Sequence, residues 1–508
     1  MPSFPRSLPR ICVALGLSTP AELARAAERE YKDGSTLLEF RLDYLADPFT
    51  GIPVLQHLLA NYPDASILAT CRLKQNHGNF AGSVETQLAV LREAAKNGAA
   101  AVDLEIETAE NVKPALIALR GSAPLIVSYH NFETTPALAP LLRRLQHIPA
   151  DAYKIATTAR KPADNLRLIQ FAREHRDLST KANRDTPLIA LAMSTMGLPT
   201  RILGPSLGCL FTYAAPSEQE GTAPGQISAR NMRTLFRADK IGKSTRLYGV
   251  VADPVGHSKS PAIHNRAFQA RRIDAAYLPF CIPATQLNEW MKMAAALPVA
   301  GFSVTIPHKQ RILRYLDVVD PLAKRIGAVN TVWRKAGKWR GTNTDTQGVL
   351  KPLQRHIRLA HASVLIAGYG GAARAAAFAL ADAGANVTIT GRNLASAQSL
   401  AQVVKAEALS LADAQQQRFD VLLNATPLGM HPKINESPFN GKLPASLVFD
   451  MVYNPHETLL LQQAKAQNCT VIHGSEMLLE QAAAQFEIWT GESAPHAVME
   501  AALEQASS

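Results

Sequence analysis

A lysine inside an apolar strand is rare unless it is paired or chemically used, and Lys154 sits in the run DAYKIAT. Desolvation favours a neutral amine, the form that attacks a ketone to make a Schiff base. The competing reading is a lysine that reaches out of the strand end, or one that pairs with Glu39 as a structural ion pair. Charge recurs at the ends of other apolar runs: Glu39 and Arg41 two apart in LLEFRLD, Arg72 ending ILATCR, and His130 ending PLIVSYH. Further along, GFSVTIPHKQ delivers Thr305 and Lys309 beyond a strand, and Asp345 follows in NTDTQG.

The third chemical signal is SVLIAGYGGAARAAAFALADAG. An apolar strand runs into Gly368, Gly370, Gly371 and Ala373 and then an alanine-rich helix, the strand–turn–helix setting of a dinucleotide fingerprint. The glycines let backbone approach a diphosphate at the helix N-terminus. About twenty residues on, the strand NVTIT ends in Gly391-Arg392-Asn393 rather than in an acidic residue. An aspartate there would repel a 2′-phosphate, whereas Arg392 attracts one, which favours NADP. An exposed arginine at a strand end is the plainer alternative.

These residues need elements to hold them. Eight short apolar runs punctuate the first half: ICVALG, LLEFRLD, ILATCR, AAVDLEI, PLIVSYH, DAYKIAT, PLIALAM and GCLFTYA, separated by alanine- and leucine-rich helical stretches. Strands alternating with helices imply parallel units, and eight of them in this length predict an α/β fold with a closed (β/α)8 TIM barrel, whose chemistry belongs at the C-terminal strand ends. An open doubly wound sheet is the alternative. Residues 237–246, RADKIGKSTR, are charged and lack apolar periodicity, which predicts a linker. Beyond it, LYGVVADPV, AAYLPFCI, GFSVTIPHKQ and the glycine-rich strand predict a two-lobed α/β dehydrogenase with a Rossmann domain. The expected domains are 1–238 for the barrel, 247–347 for a substrate lobe and 348–508 for the nucleotide lobe, the last helices returning towards the substrate lobe. In LYGVVADPVGHSKSPAIHN, Ser258 or Ser260 caps a helix ahead of Pro261, or serves a ligand.

Composition narrows the class. With 508 residues, 47% of them hydrophobic and 19% charged, the chain is too long for one core and too apolar for disorder. The net charge of +11 comes from 53 Lys and Arg spread along the chain, without a basic block, so it suits anionic small molecules better than nucleic acid. Five scattered cysteines, none in a CxxC pair, indicate neither a disulfide framework nor a zinc site and fit a reducing cytoplasm. ICVALGL is too short for a confident signal sequence, and no later run approaches a membrane span.

Taken together, the motifs of the first half resemble type I 3-dehydroquinate dehydratase over residues 8–236: EFRLD, Arg72, SYHNF, YKIA, STMGLPTR and TAPGQIS, in that order. The resemblance implies that Lys154 forms the imine, that His130 acts as base and then acid, and that Arg201 holds the substrate carboxylate. It also implies that Glu39, Arg41, Arg72, Thr222 and Gln226 orient ring hydroxyls. One departure stands out: four residues after Arg72 the family usually has a glutamate, and this chain has Asn76. An amide orients but carries no proton, which predicts slower turnover.

From about 247 to 505 the chain resembles shikimate dehydrogenase, through HSKSP, SVTIPHK, GAVNT, NTDTQG, GYGGAAR, NATPLGM, FDMVYNP and GSEMLLEQAA. This resemblance implies Lys309 and Asp345 as the catalytic pair, the lysine giving a proton to the carbonyl oxygen while the aspartate holds it, with a surface salt bridge as the alternative; it also implies Ser258 and Ser260 at the substrate carboxylate. Thr305, Asn330, Tyr453 and Gln481 would contact the ring, and Gly368, Gly370, Gly371, Ala372, Arg392, Asn424, Thr426, Gly474 and Met477 the cofactor. The family's common GAGG is GYGG here, its NRT is GRN, and Ser396 stands where a second basic residue is frequent.

The combined expectation is a bifunctional enzyme that dehydrates 3-dehydroquinate to 3-dehydroshikimate and reduces that product to shikimate with NADPH, needing no metal. Its partners would be these small acids, with no nucleic acid or membrane, and the residues select no oligomeric state. Two alternatives use the same domains: an NAD-dependent oxidation of quinate or shikimate, or a sensor that binds these acids without turnover.

Overall fold

The computed structural model describes residues 4, 8–182 and 186–506. It separates into two compact units, one of residues 1–245 with 278–298, the other of 246–277 with 299–508.

In the first unit all eight apolar runs are strands: β1 (Ile11–Leu15), β2 (Leu37–Arg41), β3 (Ser66–Thr70), β4 (Ala101–Glu105), β5 (Leu125–His130), β6 (Ala152–Thr158), β7 (Leu188–Met193) and β8 (Thr212–Ala214). They pair in the order β7-β6-β5-β4-β3-β2-β1-β8. The β7 and β8 ends meet where Leu210 N donates to Leu188 O at 2.9 Å, completing a nearly closed barrel. Because side chains alternate along a strand, every second residue faces the interior. Leu37, Leu68, Ala101, Ile126, Ala152 and Ile189 pack there as an apolar floor. Two residues further along the same strands come Glu39, Thr70, Asp103, Ser128 and Lys154, and two beyond those Arg41, Arg72, Glu105 and His130. Polarity therefore rises layer by layer towards the C-terminal mouth, where barrel enzymes hold their chemistry.

The segment 237–246 is not a free tether. Ala238 and Ile241 are buried, and Arg10 donates to the Ile241 carbonyl at 3.1 Å, so two apolar residues hidden among the charges anchor it.

Two further six-stranded sheets follow the barrel in the chain. The first comprises β9 (Arg246–Ala252), β10 (Ala275–Cys281), β11 (Gly301–Val304), β12 (Val318–Val319), β13 (Thr331–Lys335) and β14 (Lys338–Thr342), in the order β10-β9-β11-β13-β14-β12. The second comprises β15 (Ser363–Ala367), β16 (Asn386–Thr390), β17 (Glu407–Leu409), β18 (Phe419–Asn424), β19 (Ala445–Asp450) and β20 (Thr470–Ile472), in the order β17-β16-β15-β18-β19-β20. Its strands are parallel and β15 and β18 are neighbours, so the chain reverses direction across the sheet at the point where Rossmann folds bind nucleotides. The helices Gly371–Asp382 and Leu394–Val404 contribute Ala373, Ala376, Phe378, Leu400 and Val404 to the core packed on it. No helix among the described residues is long and apolar enough to cross a membrane.

Candidate functional site

Lys154 lies at the centre of the barrel mouth, only 4% exposed. Its Nζ donates to Asp103 Oδ2 and to the Tyr213 hydroxyl, each at 3.0 Å, and stands 3.7 Å from Glu39 Oε1. The ammonium also sits 4.1 Å from the centre of the Tyr213 ring. Asp103 and Tyr213 went unnoticed in the sequence, although an aspartate inside AAVDLEI carries the same signal as a lysine inside DAYKIAT. The amine is thus desolvated but not isolated, and its first partner is Asp103 rather than Glu39. Asp103 also accepts from Ser128 Oγ at 2.6 Å, and Arg72 approaches it at 3.8 Å. Burial works against ionisation of Asp103, but Lys154, Arg72 and the Ser128 hydroxyl outweigh it and hold the carboxyl below its usual range.

His130, Arg72, Glu39, Arg41, Arg201, Thr222 and Gln226 line the same cavity as Lys154, so the structure brings together every barrel residue singled out from the sequence. His130 is driven well below its ordinary pKa, first by desolvation and then by Arg72, Lys154, Arg41 and His77, which leaves a neutral imidazole at neutral pH. Arg201 is 1% exposed and donates to the Pro224 carbonyl at 3.2 Å, while its Nε has no partner. Desolvation alone pulls it down to about 10. A buried guanidinium in that state is a receptor for an anion. Arg41, by contrast, forks onto Asp43 at 2.9 and 2.8 Å, so its charge is already met. Gln226 Oε1 accepts from the Thr222 and Ala223 amides at 2.7 and 3.2 Å, bracing the loop whose Pro224 carbonyl meets Arg201. Asn76 donates to Glu105 Oε1 at 3.1 Å, and Gln87 donates to the same carboxylate.

The second constellation lies within the other unit. Lys309 Nζ donates to Asp345 Oδ2 at 2.6 Å, and the aspartate is nearly buried. Asn330 Nδ2 donates to Asp345 Oδ1 at 2.7 Å and lies 3.3 Å from Gln481 Oε1, uniting four of the expected residues. The Asn343 side chain accepts from the Asp345 amide at 3.0 Å, which fixes the start of the helix carrying the aspartate. Behind this cluster, Gln485 donates to Thr331 Oγ1 at 3.0 Å and accepts from Ser303 Oγ at 2.8 Å, and Ser303 accepts from the Tyr277 hydroxyl at 2.7 Å. Gln485, Ser303 and Tyr277 gave no local sequence signal, because their positions depend on a helix and two strands distant in sequence. Ser260 opens the helix Ser260–Ala270 and Ser258 Oγ accepts its amide at 3.3 Å, so Ser258 helps to set the helix start. Among the described residues no side-chain hydrogen bond ties Thr305 or Tyr453 to the cluster; Tyr453 stands on the loop after β19, 37% exposed.

At the nucleotide turn, Gly368 adopts φ +119°, and a Cβ there would approach Ala425 O to 3.0 Å. Cβ atoms at Gly370 and Gly371 would meet nothing within 4 Å, so open space lies over the first turn of Gly371–Asp382. That space and the bare amides fit a diphosphate. Arg392 is exposed beyond β16. Thr426 and Asn424 are tied to each other: Asn424 Oδ1 accepts from Thr426 N and Oγ1 at 3.0 and 2.7 Å, while Asn424 Nδ2 donates to Asp450 at 2.9 Å. Asn424 is fully buried and shapes the turn from within. Gly474 begins the helix Gly474–Thr490, which also carries Met477 and Gln481; a Cβ at Gly474 would meet Val452 O at 2.4 Å. No described cluster of His, Cys, Asp and Glu could hold a metal ion.

Four family models match successive stretches of the chain. Residues 11–243 match type I 3-dehydroquinase, 250–332 the shikimate dehydrogenase substrate binding domain, 352–451 shikimate / quinate 5-dehydrogenase and 474–504 the shikimate 5′-dehydrogenase C-terminal domain. A chloroplastic bifunctional 3-dehydroquinate dehydratase/shikimate dehydrogenase of Arabidopsis thaliana is 34% identical over 96% of this chain and 82% of that protein. A Bacillus cereus shikimate dehydrogenase (NADP(+)) is 41% identical over 48% of this chain and 93% of its own length. A crystal structure of shikimate dehydrogenase in complex with NADP+ superposes with a TM-score of 0.51 at 37% identity, over 53% of this chain and 98% of that one. By the barrel, the lysine at its mouth and a relative similar along almost its whole length, this chain belongs to the bifunctional 3-dehydroquinate dehydratase/shikimate dehydrogenase family.

Proposed function

We propose that the barrel dehydrates 3-dehydroquinate through Lys154, and that the second unit reduces the resulting 3-dehydroshikimate to shikimate at Lys309 and Asp345 with NADPH. The observation that carries this reading is the convergence of a buried amine, a neutral imidazole and an anion-receptive guanidinium on one cavity.

In the barrel, Arg201 receives the substrate carboxylate and sets the ring over the mouth. Lys154 attacks the ketone carbon, with Asp103 the neighbouring acceptor for the proton the amine sheds. Loss of water from the adduct gives the imine. His130 then removes the α-proton, the electron pair moves towards the imine nitrogen, and the β C–O bond breaks as the same imidazolium protonates the departing hydroxyl. Hydrolysis frees Lys154 and the product. Glu39, held by Thr70 Oγ1 at 2.8 Å, and Arg72 orient the ring hydroxyls, and Gln226 holds the Thr222 loop closed against Arg201.

In the second unit, Ser258 and Ser260 take the carboxylate, and Asn330 and Gln481 contact the ring, joined by Thr305 and Tyr453 as the cleft fills. Lys309 gives its proton to the carbonyl oxygen, and Asp345 and Asn330 hold the ammonium in line. When bound, NADPH supplies the hydride to the carbonyl carbon. Gly368, Gly370, Gly371 and Ala372 would cradle its diphosphate, Arg392 the 2′-phosphate, and Gly474 and Met477 the nicotinamide end, with Asn424 and Thr426 shaping the wall. We place the domain boundaries near 1–238, 247–347 and 348–508. A cytoplasmic or other reducing compartment suits five cysteines that form no disulfide with one another, three of them buried.

The test is a coupled assay in which 3-dehydroquinate and NADPH are given to the purified chain. NADPH oxidation is expected for the wild type. Lys154→Ala should abolish it with 3-dehydroquinate but spare it with 3-dehydroshikimate, and Lys309→Ala should abolish both. A chain that turns over neither substrate contradicts the reading and favours a sensor, while strict preference for NAD+ with quinate favours the catabolic alternative.

A further inference from the structure

We propose that Tyr369 is a cofactor-selectivity residue, its phenol completing the 2′-phosphate site together with Arg392. The inference rests on the NADP reading above and names the recognition chemistry within it.

β15 and β16 pair with Ala367 opposite Thr390, and Gly368 N donates to Thr390 O at 2.8 Å. The two turns leaving these strands therefore lie side by side, one beginning with Gly368-Tyr369 and the other with Gly391-Arg392. The Tyr369 ring lies against Gly391: a Cβ built there would fall 2.8 Å from Tyr369 Cε1 and 2.9 Å from Cδ1. Gly391 is not in the left-handed region, so its backbone does not need a glycine. The glycine is needed for the ring. Tyr369 and Gly391 thus form a complementary pair, in which the side chain that position 391 lacks is supplied across the sheet by position 369.

The ring is not packed away. Tyr369 is 37% exposed and directly precedes Gly370 and Gly371, over which space is free. An exposed tyrosine offers an apolar face and a hydroxyl donor. The rest of the β16 turn contributes little to an anion. Asn393 is committed as a helix cap, accepting from Ser396 N at 3.0 Å, and Ser396 brings no charge. Arg392 is the one cation of the turn, and a lone exposed cation holds an anion weakly. A phenol donor on the neighbouring turn would add a directional hydrogen bond to a phosphate dianion, and such bonds to charged groups are among the strong ones. NAD, which lacks the 2′-phosphate, would gain nothing from that hydroxyl.

Isothermal titration of the full chain with NADP+, NAD+, 2′,5′-ADP and 5′-AMP tests this, alongside kcat/KM for NADPH and NADH. Tyr369→Phe is expected to weaken NADP+ and 2′,5′-ADP about tenfold while leaving NAD+ and 5′-AMP within about twofold. Gly391→Ala should give the same selective loss by displacing the ring. Equal weakening of all four ligands by Tyr369→Phe, or no change in any of them, overturns the inference and leaves the tyrosine as filler for the space above Gly391. Failure of the wild type to bind 2′,5′-ADP more tightly than 5′-AMP overturns instead the NADP reading on which the inference stands.

Discussion

Replacing Arg201 by methionine should move stability and activity in opposite directions. Arg201 is 1% exposed, and among the described residues its Nε has no partner while its Nη2 donates to a neutral carbonyl, Pro224 O, at 3.2 Å. Burial lowers the guanidinium to about 10 from an ordinary value of 12.5, a penalty of about 3.5 kcal/mol at ~1.4 kcal/mol per decade. Losing the Pro224 bond returns about 1 kcal/mol of that. The ligand-free Arg201→Met barrel should therefore be more stable by about 2–3 kcal/mol, since methionine fills most of the volume without a charge to desolvate. Removing one partner of a desolvated, charge-assisted contact costs about 2–5 kcal/mol, so kcat/KM for 3-dehydroquinate should fall by roughly 30- to 5000-fold, mostly through KM. Urea unfolding of the barrel and the rise of the conjugated enone absorbance measure the two quantities. A variant that is less stable than wild type and keeps its KM would refute the argument, because Arg201 would then be a structural cation rather than a carboxylate receptor.

Two more outcomes follow from the barrel's electrostatics. His130 is held below 6.5 by desolvation and by its cationic neighbours, so the acid limb of dehydratase kcat/KM should lie below pH 6.5. The sign for stability agrees: below 6.5 the unfolded chain takes a proton that folded His130 refuses, so barrel stability should decline as pH falls through that window. An acid limb above pH 7 would contradict this assignment. Asn76→Glu should not restore a faster reaction. Asn76 donates to Glu105, and a second carboxylate there would face the first at hydrogen-bond distance, costing about 1–3 kcal/mol in urea unfolding. A faster, equally stable Asn76→Glu enzyme would show that the amide limits turnover and that the loop turns aside to spare the clash.

The sequence made the barrel legible because its eight runs are short, β-branched and evenly spaced, a pattern that few folds produce. The strand position of Lys154 was legible for the same reason. Its partners were not: Asp103 meets it from two strands away, a matter of register and stagger that no local spacing reveals. Arg41 lines the cavity as the sequence suggested, but that Asp43, two residues along, pairs with it there was not legible from spacing alone. In the second unit, motifs of several residues announced Lys309, Asp345 and the glycine turn, whereas the supporting chain of Gln485, Ser303 and Tyr277 exists only once three distant elements pack. The hairpin of β13 and β14 also escaped the sequence reading, since its turn is carried by Ala336 and Gly337 with φ of +52° and +78° rather than by a recognisable turn pair.

The central claim, that a buried amine in the barrel forms an imine with its ketone substrate, is tested most directly by borohydride reduction in the presence of 3-dehydroquinate, followed by mass mapping of the adduct. A single stable label on Lys154, absent from Lys154→Ala, is the predicted result. Unmodified protein under turnover conditions, or a label on another lysine, would contradict it.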